Sequence, residues 1–445
     1  MIIMISKISI SNFRSINEKV TLNFNFPINR ANSFKQNIIY QYKDDGVRCI
    51  LNGLILFGAN AAGKSNVLKG IKEMRKYIID SHKFDDLNEI YSKIDSFKFN
   101  NSSNETTFEI ELVIKDIIAD DDEGDFIINY SFSINSESQT ISEEKLIYKK
   151  ILVTKVSEER LIFYRKHNEV VDNTRTLNKI LNKVEQENIT HKLLISMIIF
   201  EINEAFFEEE TTSIDYAICQ RLMGFINANL IFEEESFTST FSSEINNNME
   251  FKKYILENLK SFDFAIKDFE VVDATSELIN SLKNANIEFS DKNKLINDIE
   301  RMRHFNTYTI HNVNGKDVRL GLEDESDGTI KFLNVSFSMY RSLLYNGIFI
   351  CDEIEKNYHY RIQEGIINNF INQYGNAQFL LTTHNPLLLN KELFAKEQII
   401  FVEKRRDFES TNIYSLSDFN VSYNNHNWFN LYTDGRFGSV PEVLY

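Results

Sequence analysis

Residues Ile50-Leu51-Asn52-Gly53-Leu54-Ile55-Leu56-Phe57 run straight into Gly58-Ala59-Asn60-Ala61-Ala62-Gly63-Lys64-Ser65. The first eight are mostly apolar, the pattern of a strand buried on both faces, and a glycine ends them. Past Lys64 the apolar positions Val67, Leu68, Ile71, Met74 and Ile78 recur at helical spacing. Strand, glycine-bounded turn and helix in that order satisfy the P-loop pattern, and each residue type has a physical reason. Glycines let the backbone curl until successive N–H groups converge on an anion, and the start of the helix adds its positive end. Lys64 is placed to reach the β- and γ-phosphates of a nucleotide as a point charge, and the Ser65 hydroxyl to ligate magnesium. Asn60, Ala61, Ala62, Gly63 and Asn66 complete the expected nucleotide-binding turn.

A P-loop needs partners to cut a phosphate, and the last third of the chain offers them. Gly347-Ile348-Phe349-Ile350-Cys351 is an apolar run that stops at two adjacent acids, Asp352 and Glu353. A carboxylate at the end of a buried strand beside the P-loop strand can hold magnesium through its water shell, the role expected of Asp352. Glu353 points the other way and is the expected general base, polarising the attacking water. Residues 379–383 read as the next buried strand. It ends in His384, followed by Asn385-Pro386, where proline forces a turn. A histidine there can hydrogen-bond the γ-phosphate or the attacking water as a sensor.

Around these motifs the chain changes texture three times. Residues 97–164 alternate apolar and polar positions as strands do, with Phe108, Ile110, Leu112 and Ile114, then Ile128, Tyr130, Phe132 and Ile134. The acidic run 120–123 beside Gly124 reads as a turn between two of them. Residues 174–290 look helical and carry acidic clusters at 208–210 and 233–235, with Gly224 their one glycine. Strand and helix alternate again afterwards, which implies parallel strands presenting functional residues at their carboxyl ends. The 445 residues, 52.1 kDa, allow two to three structural units. The expected boundaries are 1–170, 171–300 and 301–445.

Composition excludes several classes. Hydrophobic residues at 42% and charged residues at 26% are ordinary for a globular protein, so disorder is not its main state. No stretch offers the ~18 uninterrupted apolar residues of a membrane helix, and a cytoplasmic protein without a membrane partner is expected. Three scattered cysteines, Cys49, Cys219 and Cys351, exclude a disulfide scaffold and a zinc knuckle. A net charge of −16 disfavours a protein whose main affinity comes from neutralising nucleic-acid phosphates.

Together, residues 58–65, Asp352-Glu353 and His384 resemble the ATP-binding-cassette (ABC) class of ATPases, within it the soluble branch shared by SMC, RecF and OLD-type proteins. The likeness covers residues 1–115 and 303–445. It implies an α/β head, a P-loop core sheet plus an antiparallel β lobe, with an inserted helical domain acting as sensor, docking or dimerisation surface. It also implies ATP and Mg2+ as cofactors, with hydrolysis to ADP and phosphate. Glu325-Ser326-Asp327-Gly328-Thr329 stands where this class carries its signature motif, so Ser326, Asp327, Gly328 and Thr329 are expected to touch the nucleotide of another subunit. A homo-oligomer built from head-to-head ATP-sandwich dimers follows from that. Asn12-Phe13-Arg14-Ser15 looks like the opening strand and turn, with Arg14 near the nucleotide. Phe97-Lys98-Phe99 occupies the Q-loop position without a glutamine.

More narrowly, the pattern is similar to ATPase subunits of bacterial anti-phage and abortive-infection systems, including the segment Gly435-Arg436-Phe437-Gly438-Ser439-Val440-Pro441. That likeness implies a separate effector, a nuclease or toxin from a neighbouring gene, and a phage protein or nucleic acid as trigger. OLD proteins proper carry a nuclease domain after the ATPase. The roughly sixty residues after His384 are too few for one. Two other readings compete. A RecF- or SMC-like DNA-repair clamp would need a basic face, for which Lys404-Arg405-Arg406 and Arg301 with Arg303 are short candidates. A ribonuclease would need Arg160 and His167 to meet, although residues 161–164 between them read as a strand. A G-protein is disfavoured because Asn182-Lys183-Val184-Glu185 has the wrong final acid for a guanine reader.

Overall fold

The computed structural model describes residues 2–27, 35–84, 93–99, 104–174, 177, 181, 189–205, 212–233, 237–284, 295–296, 299, 303–373, 375–405, 409–422 and 427–439. They form two compact units. The first comprises Met1–Ile231, Ser342–Glu355 and Ile367–Tyr445, the second Phe232–Arg341 and Lys356–Ile366.

The centre of the first unit is a six-stranded sheet in the order Leu230–Phe232, Ile348–Cys351, Gln378–Thr383, Gly53–Phe57, Ile399–Arg405, Ser410–Ser415. Ile348–Cys351, Gln378–Thr383, Gly53–Phe57 and Ile399–Arg405 run parallel, and Ser410–Ser415 closes the edge as an antiparallel hairpin arm. Every residue of Gly53–Phe57, Ile348–Cys351 and Gln378–Thr383 is buried, which is why these stretches read as largely apolar runs. Gly53 is where the sheet needs no side chain: a Cβ there would sit 2.4 Å from the Phe379 ring.

The apolar run at 50–57 is not one strand. Val47–Leu51 pairs with Asn25–Pro27 and Ile38–Lys43 in a separate three-stranded sheet, and the chain re-enters the core at Gly53. Asn52 marks the break. Its side chain donates to the Gln36 carbonyl at 3.2 Å and accepts from Gln398 Nε2 at 2.9 Å.

A seven-stranded antiparallel sheet forms the β lobe, in the order Glu169–Asn173, Arg160–Lys166, Thr140–Ile151, Glu123–Asn135, Glu105–Ile118, Ile3–Ser11, Val20–Asn23. Phe126, Ile128, Tyr130, Phe132 and Ile134 alternate into its core, as their period of two requires. Gln378 ties the lobe to the core sheet. Its Oε1 accepts from the Ile5 N–H at 2.6 Å, and its Nε2 donates to the Ile5 and Leu51 carbonyls at 3.0 and 2.9 Å. A buried ion pair ties in a helix. Glu144 and Arg165, both fully buried, lie 3.6 Å apart. Glu144 accepts from the N–H groups of Leu194 and Ile195, at the start of helix Leu194–Ala205. Burial pushes its carboxyl up, while Arg165 and those N–H groups pull it back. Arg165 donates to the carbonyls of His167, Ile189 and Lys192, so the pair is hydrogen-bonded on both sides as a buried pair must be.

The second unit holds helices Phe237–Asn247, Met249–Ser261 and Thr275–Asn284 and a three-stranded antiparallel sheet, Ile266–Asp273, Phe305–Val313, Lys316–Gly321. Phe241, Phe251, Phe269 and Phe337 pack into its aromatic core. The division of the chain differs from boundaries at 170 and 300. Helices Leu194–Ala205 and Ile214–Ala228 belong to the first unit, where the second buries Ile218, Leu222, Phe225 and Ile226. The expected helical insertion also contains the strand Ile266–Asp273, whose partners lie beyond residue 300. Helical texture did not mark the boundary because apolar faces on either side of it close onto different cores.

Candidate functional site

The P-loop is built by two left-handed residues and two close approaches. Ala61 and Gly63 have φ of 61° and 111°, the curl that turns the backbone around a small anion. Gly63 stands at the amino end of helix Lys64–Asp80, which has no side-chain cap and no acid in its first turn. The positive end of the helix is therefore left for a ligand. A Cβ on Gly58 would come within 2.2 Å of the Val402 carbonyl oxygen, and one on Gly63 within 1.9 Å of Thr411 Oγ1. Both glycines thus let the loop lie against the hairpin formed by Ile399–Arg405 and Ser410–Ser415.

Lys64 is buried, with 4% of its surface exposed. Its ammonium donates to the carbonyls of Gly58 and Ala59 at 2.8 and 3.1 Å and lies 3.0 and 3.2 Å from the His384 ring nitrogens. Burial pulls its pKa down to about 8, against the opposing charges of Glu355, Asp352 and Glu353. The carboxylates arrive by the register of the sheet. Cys351 pairs with Leu381, and Phe57 pairs with Thr383, so the ends of three parallel strands bring residues 58, 352–353 and 384 to one edge. Thr382 joins the two acids, donating to Asp352 Oδ1 at 2.5 Å and accepting from the Glu353 N–H at 2.8 Å. Glu353 has φ of 52°, a left-handed conformation that costs a non-glycine residue on the order of 1–3 kcal/mol and concentrates at functional sites. Its Oε1 lies 3.5 Å from His384 Nε2. Glu355 Oε1 accepts from the His384 backbone N–H, and its Oε2 is buried without a hydrogen-bond partner among the described residues.

Lys64, Asp352, Glu353 and His384 are therefore gathered in one unit with the turn of Gly58, Asn60, Ala61, Ala62, Gly63, Ser65 and Asn66. Asn60 and Ala61 are exposed on the turn, and Ser65 and Asn66 are half-buried in the first helical turn. Among the described residues no group of three or more His, Cys, Asp or Glu forms a cage for a metal. The hydroxyl of Ser65 and the carboxylate of Asp352 are hard oxygen donors, a set that suits Mg2+ completed by water and phosphate.

Five further expected contributors are the four signature residues and Arg14. Ser326, Asp327, Gly328 and Thr329 belong to the second unit, where Ser326 caps helix Asp327–Tyr345 by accepting from the Thr329 N–H at 3.1 Å. The preceding Glu325 accepts from Thr309 Oγ1 at 2.6 Å and meets His311 Nε2 at 2.7 Å, and Ser326 and Asp327 remain exposed. Arg14 is exposed, and its guanidinium pairs with Asp95 at 2.9 Å. Its neighbour Ser15 touches the P-loop instead, accepting from Asn66 Nδ2 at 2.8 Å. At the Q-loop position the Phe97 N–H donates to Asn12 Oδ1 at 3.2 Å, and Phe99 is exposed.

Sequence reasoning missed Thr382, Glu355, Ser15 and Thr411. Thr382 had a signal: polar residues at the end of an otherwise apolar strand. The others are joined to the site across 29 to 349 positions of chain and had none. The competing sites gain little. Lys404 pairs with Glu409 and Arg405 with Glu18, while Arg301 and Arg406 lie outside the described residues, as do Asn182-Lys183-Val184-Glu185 and Val440-Pro441. Arg160 begins the strand Arg160–Lys166 and His167 follows it, which sets them roughly 20 Å apart and removes the ribonuclease pair.

A family model described as "AAA domain, putative AbiEii toxin, Type IV TA system" matches residues 231–390, the stretch that carries the signature segment, Asp352, Glu353 and His384. The chain is 23% identical over 366 residues to a protein of Vibrio cholerae serotype O1 biovar El Tor described as "Retron Vc95 probable ATPase". The aligned part is 76% of this chain and 66% of that relative's length. The chain is thus similar to ATPases of bacterial defence systems. Among solved structures, an SMC head bound to the C-terminal winged-helix domain of ScpA has a TM-score of 0.40 at 13% identity, covering 93% of this chain and 98% of that one. The SMC head domain from Thermotoga maritima has a TM-score of 0.37 at 10% identity, covering 93% and 98%. No helix among the described residues is long and apolar enough to cross a membrane.

Proposed function

We propose that the protein is an ATP-hydrolysing switch of the cytoplasm that dimerises through its nucleotide sites and controls a separate effector, a nuclease or toxin, in anti-phage defence. One observation carries the catalytic part: the sheet register delivers Lys64, Asp352, Glu353 and His384 to the same strand edge, beside an uncapped helix start. In this reading the loop N–H groups and Lys64 grip the β- and γ-phosphates. Ser65 and Asp352 would hold Mg2+, which would supply positive charge against the transferred phosphoryl group. Glu353, held by Thr382 and facing His384, takes the proton of the attacking water, while His384 reports the γ-phosphate to the strand end. The exposed Ser326 and Asp327 at a capped helix start suit a nucleotide presented by a second copy. The defence role rests on the likeness to the retron ATPase.

The test uses two variants of the full chain. Lys64→Ala should abolish ATP binding. Glu353→Gln should retain Mg2+-ATP, lower turnover by roughly 10²–10⁴-fold and accumulate a dimer visible by light scattering. Undiminished turnover in Glu353→Gln would remove the base assignment. ATP retained by Glu353→Gln without any change in mass would remove the dimer.

A further inference from the structure

The P-loop is held from behind by a chain of hydroxyls whose direction the geometry fixes. Asn66 Nδ2 donates to Ser15 Oγ at 2.8 Å. Thr411 Oγ1, on the hairpin arm Ser410–Ser415, donates to the Ala62 carbonyl at 3.1 Å and lies 2.7 Å from Ser15 Oγ. Each hydroxyl has one hydrogen. Thr411 spends its hydrogen on Ala62, so Ser15 must donate to Thr411, and the sequence Asn66 to Ser15 to Thr411 to Ala62 runs one way. Backbone contact reinforces it: the Thr411 N–H donates to the Ser15 carbonyl at 2.7 Å. Thr411 is 4% exposed, and its Oγ1 occupies the space a side chain on Gly63 would need. Three segments distant in sequence, at 15, 62–66 and 411, therefore meet behind the anion-facing side of the turn.

We propose that Ser15 and Thr411 are positioning residues for nucleotide binding, acting as one unit that fixes the Ala62–Gly63 backbone so that the loop N–H groups stay aimed at the phosphates. The inference rests on the nucleotide-site reading above and adds the front turn and the late hairpin as its support. It assigns to Ser15 the contact with the loop that the opening motif lacked in Arg14. A pinned loop needs no reorganisation to bind, so losing the pin weakens the grip on phosphate before it slows the chemistry.

The experiment measures Mg2+-ATP affinity with a fluorescent ATP analogue, alongside steady-state turnover, on the full chain. Thr411→Val keeps the shape and deletes the hydroxyl, and one such hydrogen bond corresponds to about fivefold weaker binding. KM should rise by a larger factor than kcat falls. Thr411→Ser should restore affinity to within about twofold of the parent, since only the hydroxyl is needed. Ser15→Ala should lose about as much as Thr411→Val, and the double variant no more than the worse single one, because the two belong to one chain of bonds. Full affinity in Thr411→Val, no recovery in Thr411→Ser, or additive losses in the double variant would each overturn the proposal. If Thr411→Val does not fold, Ser15→Ala, at a half-buried site, decides on affinity alone. A parent protein that binds no ATP would instead sink the nucleotide-site reading itself.

Discussion

Gly63→Ala is the most direct probe of how tightly the P-loop lies against its hairpin. Two costs add. The residue sits at φ of 111°, where an L side chain is strained by roughly 1–2 kcal/mol. Its new Cβ would stand 1.9 Å from Thr411 Oγ1, an overlap of the kind that costs about 1–3 kcal/mol once neighbours shift. The expected loss is therefore about 2–5 kcal/mol. Trp428, the sole tryptophan, is buried in the same unit and reports unfolding in urea by fluorescence. Thr411→Ala supplies the control. It removes Oγ1 and leaves Cβ as the nearest atom, at 2.9 Å. The double variant should then be about 1–2 kcal/mol more stable than the sum of the single losses, because the overlap is eased and the φ strain is not. A Gly63→Ala protein with the parent's urea midpoint would refute the close packing of loop on hairpin. Strict additivity would place its cost in the backbone alone.

Other perturbations follow from the same structure. Glu144→Ala leaves Arg165 charged and buried without its partner, so a loss of about 3–5 kcal/mol is expected in the same urea assay, and less than 1 kcal/mol would contradict the buried pair. Cys49, Cys219 and Cys351 are all buried, and burial raises the Cys49 thiol to about 12 and the Cys219 thiol well above its ordinary value. A colourless-to-yellow thiol reagent at pH 8 should therefore find no rapidly reacting group until denaturant is added. Glu355→Ala removes the acceptor of the His384 N–H and should lower turnover, whereas Glu355→Gln retains an amide oxygen there and should lower it less. Equal effects of the two would deny Glu355 its hold on His384.

The parts of the site legible in advance were those written in consecutive residues. A P-loop is a local object: glycines, lysine and serine work because they are neighbours, and Gly58 to Ser65 form the turn and helix start that their local order describes. The same holds for Asp352 and Glu353 after an apolar run, and for His384 after another. Arg14 shows the limit. The turn that carries it does reach the P-loop, but one residue along the chain reverses what faces what, and Ser15 makes the contact while Arg14 pairs with Asp95. Nothing local distinguishes the two, because the choice depends on where residues 66 and 411 stand.

What the amino-acid sequence determined by itself is the cradle, the acids and the alternation of strand and helix, since each depends on interactions within a few residues. Tertiary structure alone decided the order of the strands, the splitting of residues 50–57 between two sheets at Asn52, the division of the chain at 231–232, and the support given to the loop by Ser15 and Thr411. The physical reason is that hydrogen-bond partners and apolar faces hundreds of positions apart leave no periodic trace in either segment. Only the closing of the chain onto a common core selects which of them meet.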